Sequence, residues 1–424
     1  MEQSTIAIII VVIAIVLMIT EIIPLAATIM LAAIAMSIAG IQELTVSHEA
    51  FGSTTVVFLV GMMIIGNGLF ETGVAQSMGK YLFRTKIAQN ERMLIVAIVL
   101  IAGGLSAFTS NSAVVAMMLP LIASVAYKSD GKIKQKNILM ALGVAAAVGG
   151  GITLSGSTSQ LVAQGILETT EGVRTMTYFE MGKVALPLLI VTAIYFGTIG
   201  YNIEKKVLDF EEKVDEDIIP DENQEFVSWK KWMCAIVTIL VLLGFVFNVW
   251  NIGFVALVGA TILLATKCLD YKKALRGVDW NTVIILGGAQ AMAAGLDSSG
   301  AGAKIANGIL GLCGGENASA FVIMAAMAAI TLVLTNLMSN TACVAMMTPI
   351  AISVSAAMGT DALTLIIPMV IASQCAVATP IGTPCMTQVL VGGYRFKDYL
   401  KVGIPLAVIL TILIIVLSPI MYGL

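Results

Sequence analysis

TNLMSNTACVAMMTP (residues 335–349) repeats an earlier stretch of the same chain, SAFTSNSAVVAMMLP (residues 106–120). Aligned at an offset of 229 positions, eight of the fifteen residues are identical. Each copy places hydroxyl and amide groups between two apolar arms. An unsatisfied polar side chain is costly in hydrocarbon, so a polar cluster that occurs twice in an apolar chain is expected to have a function. We predict that both clusters lie near the bilayer midplane and bind an anion together with cations.

The composition is that of a membrane protein. Of the 424 residues, 58% are hydrophobic and 12% are charged, and the mean hydropathy is +0.98. Long continuous apolar runs predict an all-α polytopic membrane protein. The first run, 5–20, lacks a basic flank and a cleavage site, so we expect a retained span rather than a signal peptide. The six scattered cysteines and the single histidine, His48, predict neither a disulfide framework nor a metal centre.

The two halves of the chain follow one plan. Each half is predicted to have three leading spans, a hairpin, a broken helix and a closing span. The leading spans are 5–20, 22–39 and 54–70, and then 232–249, 253–266 and 281–296. Segments 71–86 and 297–312 are predicted to be interfacial. The hairpins are 93–127 and 321–357, the broken helices are 137–167 and 363–390, and the closing spans are 185–201 and 402–419.

The hairpins and the broken helices carry the polar residues. Hairpin arms of about fifteen residues reach roughly 22–24 Å, short of the roughly 30 Å hydrocarbon core. A re-entrant hairpin is therefore favoured over two full spans, although both return the chain to the same side. The interruptions GGGITLSGSTSQ (149–160) and ATPIGTPCMTQ (378–388) predict unwound helix centres, as in broken transporter helices.

Basic residues predict the orientation of the two halves. One arrangement places 20 of the 23 Lys and Arg residues in cytoplasmic loops, leaving only Arg174, Lys183 and Lys304 outside. The first hairpin then enters from the cytoplasm and the second from outside, so the halves are inverted repeats. We predict repeats at 1–202 and 231–424, joined by an acidic cytoplasmic linker at 203–230, in the cell inner (plasma) membrane.

The four polar loops suit a site for an anion and its counter-cations. Helix N-termini donate N–H groups to anions, and hydroxyl, amide and carbonyl oxygens suit hard cations such as Na⁺. No Lys, Arg or His lies in or beside these loops, which favours compensation by co-bound cations. No mid-span Asp or Glu is present to carry protons, so Na⁺ is preferred to H⁺. The predicted donors are Ser110, Ser112, Ser157, Thr158, Ser339, Thr341, Thr379, Thr383, Asn111 and Asn340.

These motifs resemble those of the divalent anion:sodium symporter family, the dicarboxylate and sulfate carriers of the ion-transporter superfamily. The resemblance covers most of the chain. It includes Thr20-Glu21-x-x-Pro24-x-x-x-Thr28, the Ser-Asn-Ser and Ser-Asn-Thr hairpin tips, and Gly382-Thr383-Pro384. The chain departs from the family pattern at Ser112, which replaces Thr, and in both broken-helix motifs, which lack the usual Asn.

The resemblance implies a homodimeric elevator transporter with two Na⁺ sites and one substrate site. A transport domain of hairpins and broken helices would move against a scaffold of early spans. The first implied Na⁺ site comprises Ser106, Ser110, Asn111 and Gly156, and the second comprises Thr335, Ser339, Asn340 and Gly382. The implied substrate contacts are Asn111, Ser112, Ser157, Thr158, Asn340, Thr341, Thr383 and Pro384.

The sequence thus predicts a secondary active transporter for Na⁺-coupled symport of a small di- or tricarboxylate. The alternatives are transport of sulfate or another oxyanion, arsenite-type efflux, Na⁺-independent anion exchange and, in another class, a passive anion channel. A channel is disfavoured because polarity clusters in four loops rather than along a continuous stripe. The partners are the small anion, Na⁺, the bilayer and a second copy of the chain, with no nucleic acid and no cofactor. The sequence contains no nucleophile–base pair and no phosphate-binding loop, so we do not predict an enzyme.

Overall fold

The computed structural model describes residues 2–20, 22–74, 77, 90–129, 132–210, 226–312, 319–380 and 382–423. This part of the chain is helical throughout, with no β-strand in it, which confirms the predicted all-α class. In the first half the helices are α1 (Gln3–Thr20), α2 (Leu25–Ile38), α3 (Val46–Glu49), α4 (Thr54–Glu71), α5 (Glu91–Ser106), α6 (Asn111–Lys128), α7 (Leu139–Gly150), α8 (Thr158–Thr169), α9 (Gly182–Gly197) and α10 (Ile199–Val207).

The second half repeats this order. Its helices are α11 (Ser228–Val246), α12 (Ile252–Ala265), α13 (Tyr271–Arg276), α14 (Trp280–Ser298), α15 (Ala301–Leu312), α16 (Ala320–Thr335), α17 (Asn340–Met358), α18 (Leu363–Gln374), α19 (Pro384–Gln388) and α20 (Phe396–Tyr422). Among the described residues, α4, α11, α17 and α20 are each long and apolar enough to cross a membrane alone. The bent pair α9–α10 provides a fifth candidate span.

Among the boundaries that differ from the sequence prediction, three concern the second break, the first closing span and the linker. The second break runs from Cys375 to Thr383, and the predicted interruption at 384–388 is helical because Pro384 starts a new helix at its first position. The closing span of the first half ends at Gly197, where the chain bends by 49° into α10. The predicted linker therefore begins as a helix. Most of segment 71–86 and the acidic stretch 211–225 lie outside the described residues.

The two broken helices form the centre of the molecule. Every residue of α7 and every residue of α18 is buried. Both segments are apolar on all sides, which is typical of helices surrounded by other helices. Each half of the chain therefore places its unwound stretch, 151–157 or 375–383, inside the protein.

Helix contacts occur in matched pairs. Hairpin arms α5 and α6 pack on α7, and α16 and α17 pack on α18 in the same way. The leading spans pair across the halves, with α4 on α12 and α14 on α2. Each hairpin also reaches the other half, since α6 contacts α19 and α17 contacts α8. One equivalent hydrogen bond occurs within each half: Thr153 Oγ1 donates to the Ala107 carbonyl, and Thr379 Oγ1 donates to the Asn336 carbonyl at 2.7 Å.

The two hairpins enter from opposite ends of the bundle. At one end, Arg174 Nε donates to Asp361 Oδ2 at 2.8 Å, which joins the loop before α9 to the loop after the second hairpin. At the other end, Tyr201 Oη donates to Glu91 Oε2 at 2.5 Å, which joins α10 to the start of the first hairpin. Because α9 runs between these two groups of loops, the hairpins approach the centre from opposite directions.

Accessible cysteines provide a test of the predicted orientation. Lys132 and Lys272 are exposed and belong to the two halves of the chain. We expect Lys132→Cys and Lys272→Cys to react only with a thiol reagent that reaches the cytoplasm, whereas Lys183→Cys reacts with an impermeant reagent in intact cells. The five described cysteines are buried, and labelling of the wild-type protein is subtracted as the blank, so that it also accounts for Cys313. Labelling of either Lys132→Cys or Lys272→Cys from outside would contradict the inverted arrangement.

Candidate functional site

Each hairpin tip has a buried part and an exposed residue, Ser110 in the first tip and Leu337 in the second. At the first tip Ser106, Ala107 and Thr109 have at most 3% of their surface exposed. At the second tip Thr335 is fully buried and Asn340 is 6% exposed. Hairpin arm α17, which begins at the second tip, is long and apolar enough to cross a membrane alone, so re-entrant hairpins stay a prediction. The polar tip residues have to be satisfied by protein groups or by ligands.

Four oxygen-bearing groups converge at the first tip. Ser106 Oγ donates to the Ala146 carbonyl at 2.7 Å and faces Asn111 Oδ1 at 2.6 Å. With the Asn111 amide nitrogen turned inward instead, it donates to Ser106 Oγ at 2.6 Å, Gly156 O at 2.9 Å and Ala146 O at 3.2 Å. The amide therefore faces three acceptor oxygens. Such a cluster is stable either with an N–H group at its centre or with a cation.

The second tip has an equivalent cluster. Thr335 Oγ1 donates to Asn340 Oδ1 at 2.5 Å and lies 3.1 Å from the Ser373 carbonyl. The backbone N–H of Asn340 donates to the Gly382 carbonyl at 3.3 Å. The two clusters thus share one pattern, in which a hydroxyl, the asparagine of the tip, a carbonyl at the end of a broken helix and a glycine of the unwound stretch meet.

Close backbone approach explains the glycine in each unwound stretch. A Cβ on residue 156 would overlap the Gly150 carbonyl oxygen and would lie 2.8 Å from Ser106 O. A Cβ on residue 382 would overlap the Thr335 carbonyl oxygen and the Ala376 side chain. Real Cβ atoms essentially never come this close to other atoms. Only glycine therefore lets these backbones approach the hairpin tips as they do.

Polar contacts link the two halves between the clusters. Thr158 Oγ1 and Thr341 Oγ1 share a hydrogen bond of 2.8 Å, which joins the starts of α8 and α17. Gln374 Nε2 donates to Ser159 Oγ, and Ser159 Oγ lies 3.2 Å from Ser157 Oγ. The buried Gln374 Oε1 has no partner among the described groups. The residues predicted from separate halves therefore meet at a single polar seam.

The other predicted residues occupy helix starts. Ser110, Ser157, Ser339 and Thr383 are the N-cap residues of α6, α8, α17 and α19. Of these, only Ser339 caps its helix with its side chain, accepting from Ala342 N at 3.3 Å. Ser112 is half-buried and Pro384 is exposed at the first position of α19. The structure does not bring Ser110 or Ser339 into the oxygen clusters through a side-chain hydrogen bond.

Four helices begin at the site, and among the described residues no charged side chain is hydrogen-bonded to it. The helices α6, α8, α17 and α19 start at residues 111, 158, 340 and 384. The N-terminus of a longer helix carries about half a positive charge and free N–H groups, which applies to α6, α8 and α17. Helix α19 has only five residues and begins with Pro384, which has no N–H. The buried carboxylates of the described residues are Glu180, Glu204 and Asp398, which belong to segments at the ends of the bundle. The site is therefore polarised toward anions without a basic side chain.

The sequence did not identify several residues that build the site. The Ala146 and Ser373 carbonyls complete the clusters, and a backbone carbonyl carries no sequence signal of its own. Gln160 Nε2 donates to Gly150 O at 2.5 Å and to Thr153 O at 2.9 Å, which holds the first unwound stretch in place. Gln160 and Gln374 are both buried amides in apolar segments. That feature could have marked them as site residues.

A cavity of about 430 Å³ reaches the first hairpin from one end of the bundle. Its walls include Ala113 and Met117, two and six residues beyond Asn111, together with Asn67, Asp270 and Lys273. It therefore lies between hairpin arm α6 on one side and α4 and α13 on the other. Solvent can approach the start of α6 through this cavity.

The apolar helices and the polar site between the two halves are typical of a multi-pass membrane transporter. The chain matches the family model described as the citrate transporter family (CitMHS), over residues 15–366 and 245–423. The first match alone covers more than half of the sequence, and the chain belongs to this family.

Curated relatives carry transporter names. Over 326 residues the chain is 26% identical to the uncharacterized transporter MJ0672 of Methanocaldococcus jannaschii, covering 75% of this chain and 71% of that protein. It is 24% identical over 402 residues to the sodium-dependent dicarboxylate transporter SdcS of Staphylococcus saprophyticus, covering 86% and 76% of the two chains. These matches confirm the resemblance to the divalent anion:sodium symporter type.

Solved structures share the fold. The YdaH transporter of Alcanivorax borkumensis superposes with a TM-score of 0.65 at 12% identity, covering 89% of this chain and 87% of that one. MtrF of Neisseria gonorrhoeae superposes with a TM-score of 0.63 at 13% identity, covering 99% and 95%. At these identities the similarity defines the fold alone.

Proposed function

We propose that the protein is a secondary active transporter that couples uptake of a small di- or tricarboxylate to Na⁺. The observation that carries this proposal is the pair of oxygen clusters at the hairpin tips. The family match and the name of the SdcS relatives support the same substrate class and coupling ion.

Sodium is the co-substrate that fits the clusters. Each cluster offers a hydroxyl, an amide and two backbone carbonyls, and hard cations prefer such oxygen ligands. With the Asn111 amide oxygen turned inward, four oxygens would face one another with no N–H group between them. A cation would fill the centre of such a set. Ser106, Asn111, Ala146 and Gly156 would hold one ion, and Thr335, Asn340, Ser373 and Gly382 would hold the other.

The anion would bind along the seam between the clusters. Thr158 and Thr341 present hydroxyls at the starts of α8 and α17, where free N–H groups are available. Two negative charges in a low-dielectric cavity need more compensation than helix dipoles provide. Two neighbouring cations would supply that compensation, so anion affinity is expected to depend on Na⁺. This dependence is what couples the two fluxes.

An elevator mechanism suits the distribution of helix contacts. The hairpins and broken helices contact one another across both halves, and the leading spans form pairs of their own. We assign the first set to a mobile transport domain and the pairs α2–α14 and α4–α12 to a scaffold, within a homodimer in the plasma membrane. The 430 Å³ cavity between α6 and α4 would then be the approach from the cytoplasm.

Thermal stability in the presence of candidate anions tests this function directly. We expect one di- or tricarboxylate to raise the melting temperature of the purified protein in NaCl and not in choline chloride. A ligand at 100 times its dissociation constant stabilises the folded state by about 2.7 kcal/mol, which is readily measured. Succinate, citrate, sulfate and arsenite form the panel, with chloride as the ionic-strength control.

The other outcomes identify the alternatives. Na⁺-dependent stabilisation by sulfate alone would retain the coupling and change the substrate to an oxyanion. Stabilisation by a dicarboxylate that is equal in choline would contradict Na⁺ coupling and indicate anion exchange. Transport in proteoliposomes that follows only the anion gradient, with no effect of a Na⁺ gradient, would indicate a passive channel.

A further inference from the structure

A second cavity, lined by lysines, lies at the end of the bundle where the first hairpin enters. It has a volume of about 340 Å³ and is lined by Glu91, Lys132, Lys134, Lys136, Asn137, Lys205 and Leu208. This volume lies within the range of small-molecule sites, about 300–1,000 Å³. The lining contains four lysines against one glutamate, a formal excess of three positive charges. The transport site has no part in this cavity.

The single carboxylate of the lining serves the framework of the cavity. Glu91 Oε1 accepts from Lys134 N at 2.8 Å and from Asn137 Nδ2 at 3.1 Å, while Oε2 accepts from Tyr201 Oη at 2.5 Å. These bonds join the start of α5 to the segment 134–137 and to α10. Glu91 therefore fixes the walls, and it makes no salt bridge to a lysine among the described residues.

The lysines differ in how they are held. Lys136 Nζ donates to the Leu208 carbonyl at 3.0 Å and to the Phe210 carbonyl, so it belongs to the wall. Lys205 Nζ lies 4.6 Å from the centre of the Tyr201 ring. Lys132 and Lys134 are exposed, and in the described part of the chain neither forms a salt bridge.

Positive charges are crowded around one ring at the edge of the cavity. Arg92 lies 4.7 Å from the centre of the Tyr201 ring, and Lys205 lies 4.6 Å from it. Like charges brought together on a rigid framework repel one another, and an anion between them removes that repulsion. Charge-assisted hydrogen bonds from several ammonium groups favour ligands that carry several negative oxygens.

The cavity lies beside the bend within the candidate span α9–α10. The chain turns by 49° there, and α10 buries Tyr201 and Glu204 and exposes Ile199. In the predicted orientation this bend and its lysines face the cytoplasm. Basic pockets between helices at the cytoplasmic surface are suited to the phosphate groups of anionic lipids.

We propose that this lysine-lined cavity binds a phosphate-bearing anion, either a lipid headgroup or a soluble phosphate compound. Bound there, the anion would bridge α10, the segment 132–137 and the start of the first hairpin. It would thereby stabilise one end of hairpin arm α5 without touching the transport site.

A double variant and a matched control test this proposal on the full-length protein. Lys132→Gln/Lys134→Gln removes two exposed ammonium groups and keeps the backbone N–H that Lys134 donates to Glu91. Lys272→Gln/Lys397→Gln removes two exposed lysines from outside the cavity, on the same predicted side of the membrane. One arm measures melting temperature against inorganic pyrophosphate at constant ionic strength. The other counts phosphatidylglycerol or cardiolipin molecules retained in native mass spectrometry.

We expect the cavity variant to weaken binding by at least about tenfold in one or both arms, because each lysine near an anionic group contributes about fivefold and the variant removes two. The control variant should bind within about twofold of the wild type. A loss confined to the lipid arm identifies a headgroup, and a loss confined to the pyrophosphate arm identifies a soluble phosphate compound. Equal binding by wild type, cavity variant and control in both arms, or no binding at all, would overturn the proposal.

Discussion

Asn340→Ala is expected to weaken the Na⁺ dependence of transport strongly while leaving a folded, membrane-inserted protein. Asn340 Oδ1 accepts from Thr335 Oγ1 at 2.5 Å, and its backbone N–H donates to Gly382 O at 3.3 Å. Alanine keeps the second bond and removes the only side-chain oxygen that the tip directs at Thr335. Loss of one buried polar partner costs about 1–3 kcal/mol, so Na⁺ affinity should fall by about 10- to 100-fold.

The measurement is substrate uptake into proteoliposomes against Na⁺ concentration, paired with melting temperature in NaCl and in choline chloride. Asn111→Ala should behave in the same way, because its amide occupies the equivalent position beside Ser106. Asn307→Ala is the matched control, since Asn307 is exposed on α15. Full Na⁺-dependent uptake by both Asn340→Ala and Asn111→Ala would contradict the assignment of the clusters as cation sites.

The repeated stretches indicate contacts at the two hairpin tips, because these contacts form between residues that are close together in the sequence. Ser106 and Asn111 meet, as do Thr335 and Asn340, because each hydroxyl and its asparagine lie five residues apart across one tight hairpin tip. Gly156 and Gly382 were expected at the site from the family resemblance, and the close backbone approach in the structure explains why these positions are glycine. Residues a few positions apart on one hairpin tip are held close together by the chain itself, so their contact can be expected from the sequence.

Contacts between distant segments could not be obtained in this way. The Ala146 and Ser373 carbonyls join the clusters because α7 and α18 pack beside the hairpin arms. The 2.8 Å contact of Thr158 with Thr341 depends on α17 crossing to α8 of the other half. The bend after Gly197 was missed because an amphipathic helix that follows a span resembles a charged linker in composition alone.

The two clusters are alike in pattern and different in surroundings. In the first half Gln160 holds the unwound stretch through the Gly150 and Thr153 carbonyls. The equivalent position in the second half is Met386, and there Thr387 Oγ1 donates to the Pro380 carbonyl at 2.6 Å. The first unwound stretch is therefore fixed by a buried amide and the second by a proline and a hydroxyl. We expect the two sites to differ in cation affinity for this reason.

Gly156→Ala is expected to eliminate coupled transport by a steric route that removes no ligand. The new Cβ would overlap the Gly150 carbonyl oxygen and approach Ser106 O at 2.8 Å, so the unwound stretch has to move. That movement carries the Gly156 carbonyl away from Asn111 and Ser106. A displacement of about 1 Å at a site of this kind can lower a rate by about 100-fold. Uptake against Na⁺ concentration should show a loss of at least about tenfold in apparent Na⁺ affinity.

Gly104→Ala separates this effect from a general response to alanine. Gly104 lies in hairpin arm α5, two residues before Ser106, and a Cβ there would meet nothing within 4 Å. Alanine in a helix is favoured over glycine by about 0.5–1 kcal/mol, so this variant should keep its transport and gain thermal stability. If Gly156→Ala transports with the Na⁺ dependence of Gly104→Ala, the Gly156 carbonyl has no part in a cation site. The cluster would then be a structural hydrogen-bond network, held together by the Asn111 amide nitrogen.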